Sequence, residues 1–224
     1  MVDREARCEL ATCLRAFLEG SVRRDAFHDR IGAIAAETHD ETVQQFVVWL
    51  WFCFDDLKNH KIVATRTDWN YFQRLLLILS TDAHVRTEST RSWHWTNGVA
   101  ALLLVTFVWI AIQTGFGEHL VVIALPFGAL SLLISWLVAR VNNEELDDGL
   151  FPFQTRASLR SWRRRAACFA KQPYPQDLIE RRIRTASMER VLHFQFYALW
   201  ILLSPIALLI QTIPSSQITV EVTE

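Results

Sequence analysis

WTNGVAALLLVTFVWIAIQ, residues Trp95–Gln113, and LVVIALPFGALSLLISWLV, residues Leu120–Val138, are two uncharged apolar stretches. A third such stretch, FQFYALWILLSPIALLIQTI, occupies Phe194–Ile213. The three hold 19, 19 and 20 residues, and none contains Asp, Glu, Lys, Arg or His. At about 1.5 Å rise per residue, a helix of this length reaches roughly 28 to 30 Å, which matches the hydrocarbon core of a bilayer. The sequence therefore predicts three transmembrane helices.

The basic residues are confined to two blocks outside these stretches. Residues 1–93 carry 12 of the 23 Lys and Arg residues, and residues 140–192 carry the other 11. Because Lys and Arg are retained on the cytoplasmic side of a membrane, we expect both blocks to face the cytoplasm, with the bacterial inner membrane as the location. The predicted order is an N-terminal domain at 1–92, a transmembrane hairpin at 93–139, a basic cytoplasmic loop at 140–192, a third transmembrane helix at 193–213 and a short external tail at 214–224.

The first 92 residues are predicted to form a small helical domain, so that the whole chain is an all-α integral membrane protein. The apolar residues of this part recur at helical rather than alternating intervals. Four helices are expected: the first ends near Gly20, the second carries Phe27 and Ile31, the third starts near Asp40, and the fourth has Thr67 as its N-cap. A linker over residues 83–92 leads from this domain into the first span.

Small residues follow one face of the second span. They are spaced 4, 3, 4 and 4 residues apart: Ala124, Gly128, Ser131, Ser135 and Ala139. Small side chains let two helix backbones approach closely, which is how helices associate inside lipid. This face is therefore predicted to be a helix-packing surface. The pattern is compatible with packing against another span of the same chain or against a second copy, which would make the protein a homo-oligomer.

The basic loop contains a predicted amphipathic helix at about Thr155–Lys171. Its apolar side includes Leu159, Trp162 and Phe169, while five arginines lie mainly elsewhere around the helix. Such a helix suits the inner membrane surface, where each cation near anionic headgroups contributes about 1 kcal/mol. The residues predicted to contact the membrane surface are Arg156, Arg160, Trp162, Arg163, Arg164 and Arg165. The alternative is a helix packed on protein or exposed to solvent, whose arginines only determine the topology.

The common enzyme signatures are missing from the sequence. It contains no GxxxxGK[ST], GxGxxG, GxSxG or HExxH motif, so we expect no catalytic residue, no cofactor and no resident metal. The only group that could bind a divalent metal consists of His28, His39, Asp40, Asp55, Asp56 and His60. The adjacent pair His39-Asp40 resembles the pair in metal-dependent HD phosphohydrolases, which also need a His well upstream and a distant Asp. The simpler explanation, which we prefer, is that Asp40 is a helix N-cap.

Three functions fit these observations. The first is a non-enzymatic membrane protein, an adaptor or regulator, whose cytoplasmic domain and basic loop bind a protein partner as well as the bilayer and its anionic lipid headgroups. The second is an oligomeric pore or membrane-perturbing effector assembled through the small-residue face. The third is a membrane-bound metal-dependent hydrolase. Nucleic acid is not expected as a partner, because arginines held close to two spans meet lipid headgroups first.

Overall fold

The computed structural model describes residues 2–51, 59–115, 117–145, 150–166, 169–179 and 181–223. These residues are mostly helical, which confirms the helical part of the predicted fold class. Their helices are α1 (Arg4–Leu18), α2 (Arg24–Glu37), α3 (Glu41–Trp51), α4 (Arg66–Leu79), α5 (Trp95–Thr114), α6 (His119–Glu145), α7 (Arg156–Arg165), α8 (Ala186–Leu202) and α9 (Ser204–Gln211), with a short 3₁₀ helix at Gln176–Leu178. Two strands, β1 (His84–Ser92) and β2 (Ser215–Thr223), pair as a two-stranded sheet.

The chain divides into two compact units that do not coincide with the predicted domains. Unit 1 comprises Met1–Glu88, Asp147–Ile183 and Thr219–Glu224, and unit 2 comprises Ser89–Leu146 and Arg184–Ile218. The predicted N-terminal domain is thus one part of unit 1. Most of the basic loop and the end of the chain complete that unit.

Helices α1 to α4 enclose the core of unit 1. The stripes of apolar residues predicted from the sequence face this core, and Leu10, Phe27, Phe46 and Leu75 are each fully buried in it. One helix start was predicted wrongly. The N-cap of α4 is Thr65 rather than Thr67, because the Thr65 hydroxyl accepts from the Asp68 backbone N–H while the Asp68 carboxylate accepts from the Thr65 N–H.

The segment from Leu150 to Ile183 packs against α4 within unit 1. The Trp69 indole donates to the Gln172 carbonyl over 3.1 Å, and the Gln172 N–H donates to Oε1 of Gln73 over 3.0 Å. In this segment α7 ends at Arg165, six residues earlier than predicted. The short 3₁₀ helix at Gln176–Leu178 follows later in the segment, and α8 starts at Ala186.

Unit 2 consists mainly of the apolar helices α5, α6, α8 and α9. Trp95–Thr114 and His119–Val138 are long and apolar enough to cross a membrane, and only 28% of each is buried inside the protein. Their outward surfaces are formed by side chains such as Leu102, Val122 and Ile112, which are about two-thirds exposed. By length and composition, the described residues therefore contain two candidate spans, or three if the bent pair α8 and α9 counts as one.

The third apolar stretch is not one straight helix. It bends by 82° between α8 and α9, at Leu203. Pro205 lies in the first turn of α9, where its missing backbone N–H costs no helical hydrogen bond. The prediction of a single transmembrane helix over 193–213 is corrected to two helices joined by a sharp break.

The last residues of the chain form β2 rather than an isolated tail. Val220 is 5% exposed in the core of unit 1, and its carbonyl accepts from Nε2 of Gln154 over 3.2 Å. At the end of the pair, Oγ1 of Thr223 lies 3.5 Å from the carbonyl oxygen of His84. The linker predicted over residues 83–92 is β1, and the tail predicted over 214–224 is its partner strand. The all-α prediction is corrected by this small sheet.

Candidate functional site

A strongly basic surface of unit 1 is formed by α7 and the residues that follow it. Residues 151–176 contain six basic residues and no Asp or Glu. All of the five arginines predicted to contact a membrane are exposed: Arg156, Arg160, Arg163, Arg164 and Arg165. Lys171 is also exposed, and we call these six side chains the cationic surface.

Positive charge is dense on the cationic surface. Burial lowers the pKa of the Lys171 ammonium, and three neighbouring like charges lower it further. These charges belong to Arg163, Arg74 and Arg66. The ammonium donates a 2.7 Å hydrogen bond to the side-chain oxygen of Asn70, which carries no charge. An anionic ligand would relieve this repulsion, so the surface is suited to carboxylates or phosphates.

The apolar side of α7 is covered by the protein itself. Leu159 is 8% exposed and Trp162 is 7% exposed, and both belong to the core of unit 1. The guanidinium of Arg165 lies 4.9 Å from the centre of the Trp162 ring. A helix that lies in a membrane interface needs a free apolar face. Trp162 is therefore a core residue that orients α7, and its prediction as a membrane-surface residue is corrected.

Asp40, the acid of the candidate metal pair, is engaged by a buried arginine. Its carboxylate accepts from Nε of Arg7 over 2.6 Å and from Nη2 of Arg7 over 3.1 Å. It also accepts from the Thr42 backbone N–H over 3.0 Å, which confirms its N-cap position at α3. Burial alone would raise the pKa of Asp40, but these hydrogen bonds and the charge of Arg7 outweigh burial and hold the pKa below its ordinary value.

The three histidines of the metal group do not assemble around Asp40. His39 is exposed, His28 is buried with its ring 4.4 Å from the Trp51 ring, and Nδ1 of His60 lies 2.6 Å from the Lys61 carbonyl oxygen. Asp55 and Asp56 lie outside the described residues. Among the residues that the structure describes, no three His, Cys, Asp or Glu side chains are arranged to hold a metal ion. The Arg7–Asp40 pair ties α1 to the start of α3.

The small-residue face of α6 lies against α8 and α9 of the same chain. A Cβ atom added to Gly128 would be 2.6 Å from the Cα atom of Ile201, so only glycine permits this approach. The Ser204 hydroxyl donates to the Ala124 carbonyl over 3.0 Å. The helix-packing residues predicted from the sequence therefore meet a partner within unit 2. The side chain of Ala139 lies outside the described part of α6.

A polar cluster continues this contact inside the apolar unit. The amide of Gln211 donates to the Ser131 carbonyl over 2.9 Å and to the Ser135 hydroxyl over 2.7 Å. Its Oε1 atom accepts from the Ser131 hydroxyl, which in turn accepts from the Trp200 indole, each over 3.1 Å. Side chains from three helices are joined in this way. We call Ser131, Ser135, Trp200 and Gln211 the polar cluster.

Sequence patterns reveal only one side of the polar cluster. Ser131 and Ser135 belong to the predicted face, whereas Trp200, Gln211 and Asn97 were not identified as their partners or neighbours. The available signal was an amide inside an apolar stretch, since such a group needs a hydrogen-bond partner. Asn97 is a second amide in an apolar stretch that finds partners within the protein. Its Nδ2 atom donates to the carbonyls of Gln211 and Ile213 over 2.8 and 2.9 Å.

No protein-family model, curated protein or solved structure matches the chain.

Proposed function

We propose that the chain is a non-enzymatic integral membrane adaptor whose cationic surface binds an acidic segment of a partner protein on the cytoplasmic side. The observation that carries this proposal is the orientation of α7. Its arginines point outward while Leu159 and Trp162 are held in the core of unit 1. The helix is thereby presented as a rigid array of guanidinium groups, which bind carboxylates through paired hydrogen bonds.

A protein partner is favoured over lipid headgroups because α7 lacks a free apolar side. Interfacial helices combine electrostatic attraction with burial of apolar side chains in the membrane. The burial of Leu159 and Trp162 removes the second contribution, and binding through α7 depends on charge alone. An acidic segment supplies that charge and can follow the spacing of the arginines. The cytoplasmic placement is supported by the confinement of Lys and Arg to two blocks of the sequence.

The adaptor proposal is tested with an acidic probe. The full chain is placed in nanodiscs of uncharged phosphatidylcholine, and binding of a fluorescent oligoglutamate peptide is measured by anisotropy at several salt concentrations. We expect saturable binding that weakens as salt is raised. The double substitution Arg160→Glu and Arg163→Glu should weaken it more than about tenfold, since loss of roughly 1.4 kcal/mol corresponds to that factor.

The control carries the same change of charge elsewhere in unit 1. Arg15 and Arg30 are exposed on α1 and α2, and their replacement by Glu should leave peptide binding nearly unchanged. Equal losses in both double variants would show that only net charge matters and would contradict a specific surface. Absence of peptide binding, together with binding of the chain's cationic surface to vesicles containing phosphatidylserine, would replace the protein partner with lipid.

A further inference from the structure

The course of the third apolar stretch is decided by contacts within each of the two units. The part of the chain that contains this stretch enters unit 2 at Arg184 and leaves it at Ile218. Between these residues, α8 has 17 residues and α9 has 8, which correspond to lengths of about 25 and 12 Å. A full crossing needs about 20 helical residues. The 25 residues therefore provide for one crossing and fall well short of two.

Unit 1 contains chain from both before and after the third apolar stretch. The chain must therefore return, after this stretch, to the side of the membrane on which the stretch begins. Residues 1–88, 147–183 and 219–224 belong to the same compact unit. Val220 from the end of the chain shares a buried core with Leu10 and Leu159 from the two earlier parts. A bilayer cannot pass through this core and its charged surface. The chain leaves unit 1 after Ile183 and re-enters it at Thr219. Between these two residues it must therefore cross the membrane an even number of times or not at all.

Contacts inside unit 2 lead independently to the same conclusion. The contacts of α9 progress along α6 from Ala124, which pairs with Ser204, to Ser135, which pairs with Gln211. These eleven positions of α6 correspond to about 16 Å along the helix, in the direction of its C-terminal end. The α9 helix therefore runs back along the second span.

The end of the stretch is level with the beginning of the first span. Asn97 lies in the first turn of α5, and its side-chain amide donates to the carbonyls of Gln211 and Ile213. The same side chain accepts from the His94 backbone N–H over 2.7 Å, so its position at the start of α5 is well defined. The exit of the third stretch and the entry of the first span thus lie at the same end of unit 2.

We infer that Phe194–Ile213 is a re-entrant helical hairpin that enters and leaves the bilayer on one side, so that α5 and α6 make the two complete crossings and both chain ends share one aqueous compartment. This replaces the external C-terminus predicted from the sequence. It does not depend on the identity of the partner or on the proposed adaptor function.

The break between α8 and α9 is built to tolerate an apolar environment. Backbone groups in lipid must find partners within the protein. The Leu203 N–H donates to the Leu199 carbonyl over 2.8 Å, and the Leu203 carbonyl accepts from the N–H groups of Ile206 and Ala207 over 3.0 Å. Pro205 has no N–H to satisfy. Ser204 is fully buried and binds α6 through its hydroxyl, so the turn of the hairpin is attached to the second span.

The hairpin is tested by measuring which single cysteines a reagent outside sealed membrane vesicles can reach. The vesicles are prepared in two orientations, right-side-out and inside-out. In the full chain with its four native cysteines replaced by Ser, single cysteines are introduced by Glu5→Cys, Glu118→Cys and Glu221→Cys, all at exposed positions. Each variant is treated with a maleimide that cannot cross membranes. We expect the probes at positions 5 and 221 to react in the same vesicle orientation and the probe at position 118 to react in the opposite one.

Two results would overturn the hairpin. Reaction of the position-221 probe together with the position-118 probe would establish a third complete crossing and an external C-terminus. Reaction of all three probes in the same vesicle orientation would show that α5 and α6 do not cross the membrane. If the cysteine-free chain does not insert, protease protection of epitope tags at both ends of the native chain answers the same question. Both tags should be cleaved in one orientation, and cleavage in opposite orientations contradicts the hairpin.

Discussion

At the scale of single residues, the ion pair between Arg7 and Asp40 is the most deeply buried charge interaction that the described residues show. Both side chains are about 1 to 2% exposed. Arg7 also donates to the carbonyls of Thr81 and Ala83 over 2.8 and 2.9 Å, so one guanidinium joins α1, the start of α3 and the segment after α4. The N-cap position of Asp40 was predictable from the local sequence. Its partner was not, because Arg7 lies 33 residues away.

Removing the cation of this pair should be costly. We expect Arg7→Met to lower the free energy of unfolding by about 3–5 kcal/mol, since it leaves the Asp40 carboxylate buried without its partner. Urea unfolding of the full chain in detergent measures this change. The matched control is Arg4→Met on the same helix, whose partner Asp82 is exposed and whose loss should change stability far less. Equal effects of the two substitutions would contradict the role assigned to Arg7.

Stability should also depend on pH through the carboxylates of unit 1. The pKa values of Asp3, Asp40 and Asp82 all lie below the ordinary value. For Asp3 the main cause is a hydrogen bond from the Ala6 N–H, and for Asp82 it is one from Arg4. Because the unfolded chain binds these protons first, the stabilisation is present above about pH 4 and is lost as pH falls through the lower folded values.

The measurement is the midpoint of urea unfolding as a function of pH. We expect the midpoint to decrease steeply below about pH 4. In the Asp40→Asn variant the midpoint starts lower, and its decrease should be shallower because one of the shifted carboxylates is gone. A variant with the native slope would show that Asp40 does not contribute to the acid sensitivity.

At the scale of elements, the packing of α6 against α8 depends on the absence of a side chain at one position. Gly128 faces the backbone of Ile201 so closely that neither a methyl group nor a larger side chain fits. The spacing of small residues predicted this close approach. Whether the facing helix came from the same chain or from another copy was left open by the spacing, and the structure shows α8 and α9 of the same chain in this position.

The close approach at Gly128 predicts that a Gly→Ala substitution has different effects on stability at Gly128 and at Gly98. Gly128→Ala should destabilise unit 2 by about 1–3 kcal/mol, because the added methyl group forces α8 away from α6. Gly98→Ala lies in the first turn of α5, where nothing lies within 4 Å of the new Cβ, and should be neutral or slightly stabilising. Thermal unfolding in detergent compares the two variants. A Gly128→Ala protein as stable as Gly98→Ala would show that α8 does not pack on α6 as described.

At the scale of the whole molecule, the second half of the last strand, from Thr219, completes unit 1. Val220 is buried in its core, and Val222 packs against that core more loosely. Unit 1 is therefore assembled from the start, the middle and the end of the chain. The predicted cytoplasmic segments, 1–92 and 140–192, contribute most of its residues.

A substitution in β2 should destabilise unit 1, although most residues of that unit are far from β2 in the sequence. We expect Val220→Asp to cost more than about 2 kcal/mol of stability, since it removes buried apolar surface and introduces an unpaired charge. Hydrogen exchange of residues 84–92 should accelerate in the same variant, because β1 loses its partner strand. Glu221→Gln, at the neighbouring exposed position, is the control and should leave both measurements unchanged. Unaltered exchange in Val220→Asp would contradict the pairing.

The sequence by itself determined the apolar helices, the segregation of charge and most of the helical core positions. These are local properties: the length of an uncharged run and the period of its apolar residues depend only on neighbours along the chain. The outward direction of the arginines in α7 follows from the same period. The start of α4 shows the limit of this reasoning, because two threonines, Thr65 and Thr67, are both good caps and only the hydrogen bond to Asp68 distinguishes them.

Only the tertiary structure decided what covers each surface and where the chain returns. Ser131 and Gln211 are 80 residues apart, and Gln154 and Val220 are 66 apart. Contacts at these separations depend on which surfaces complement each other in space, and no local pattern encodes them. The burial of Trp162 and the pairing of β2 with β1 both depend on such distant contacts.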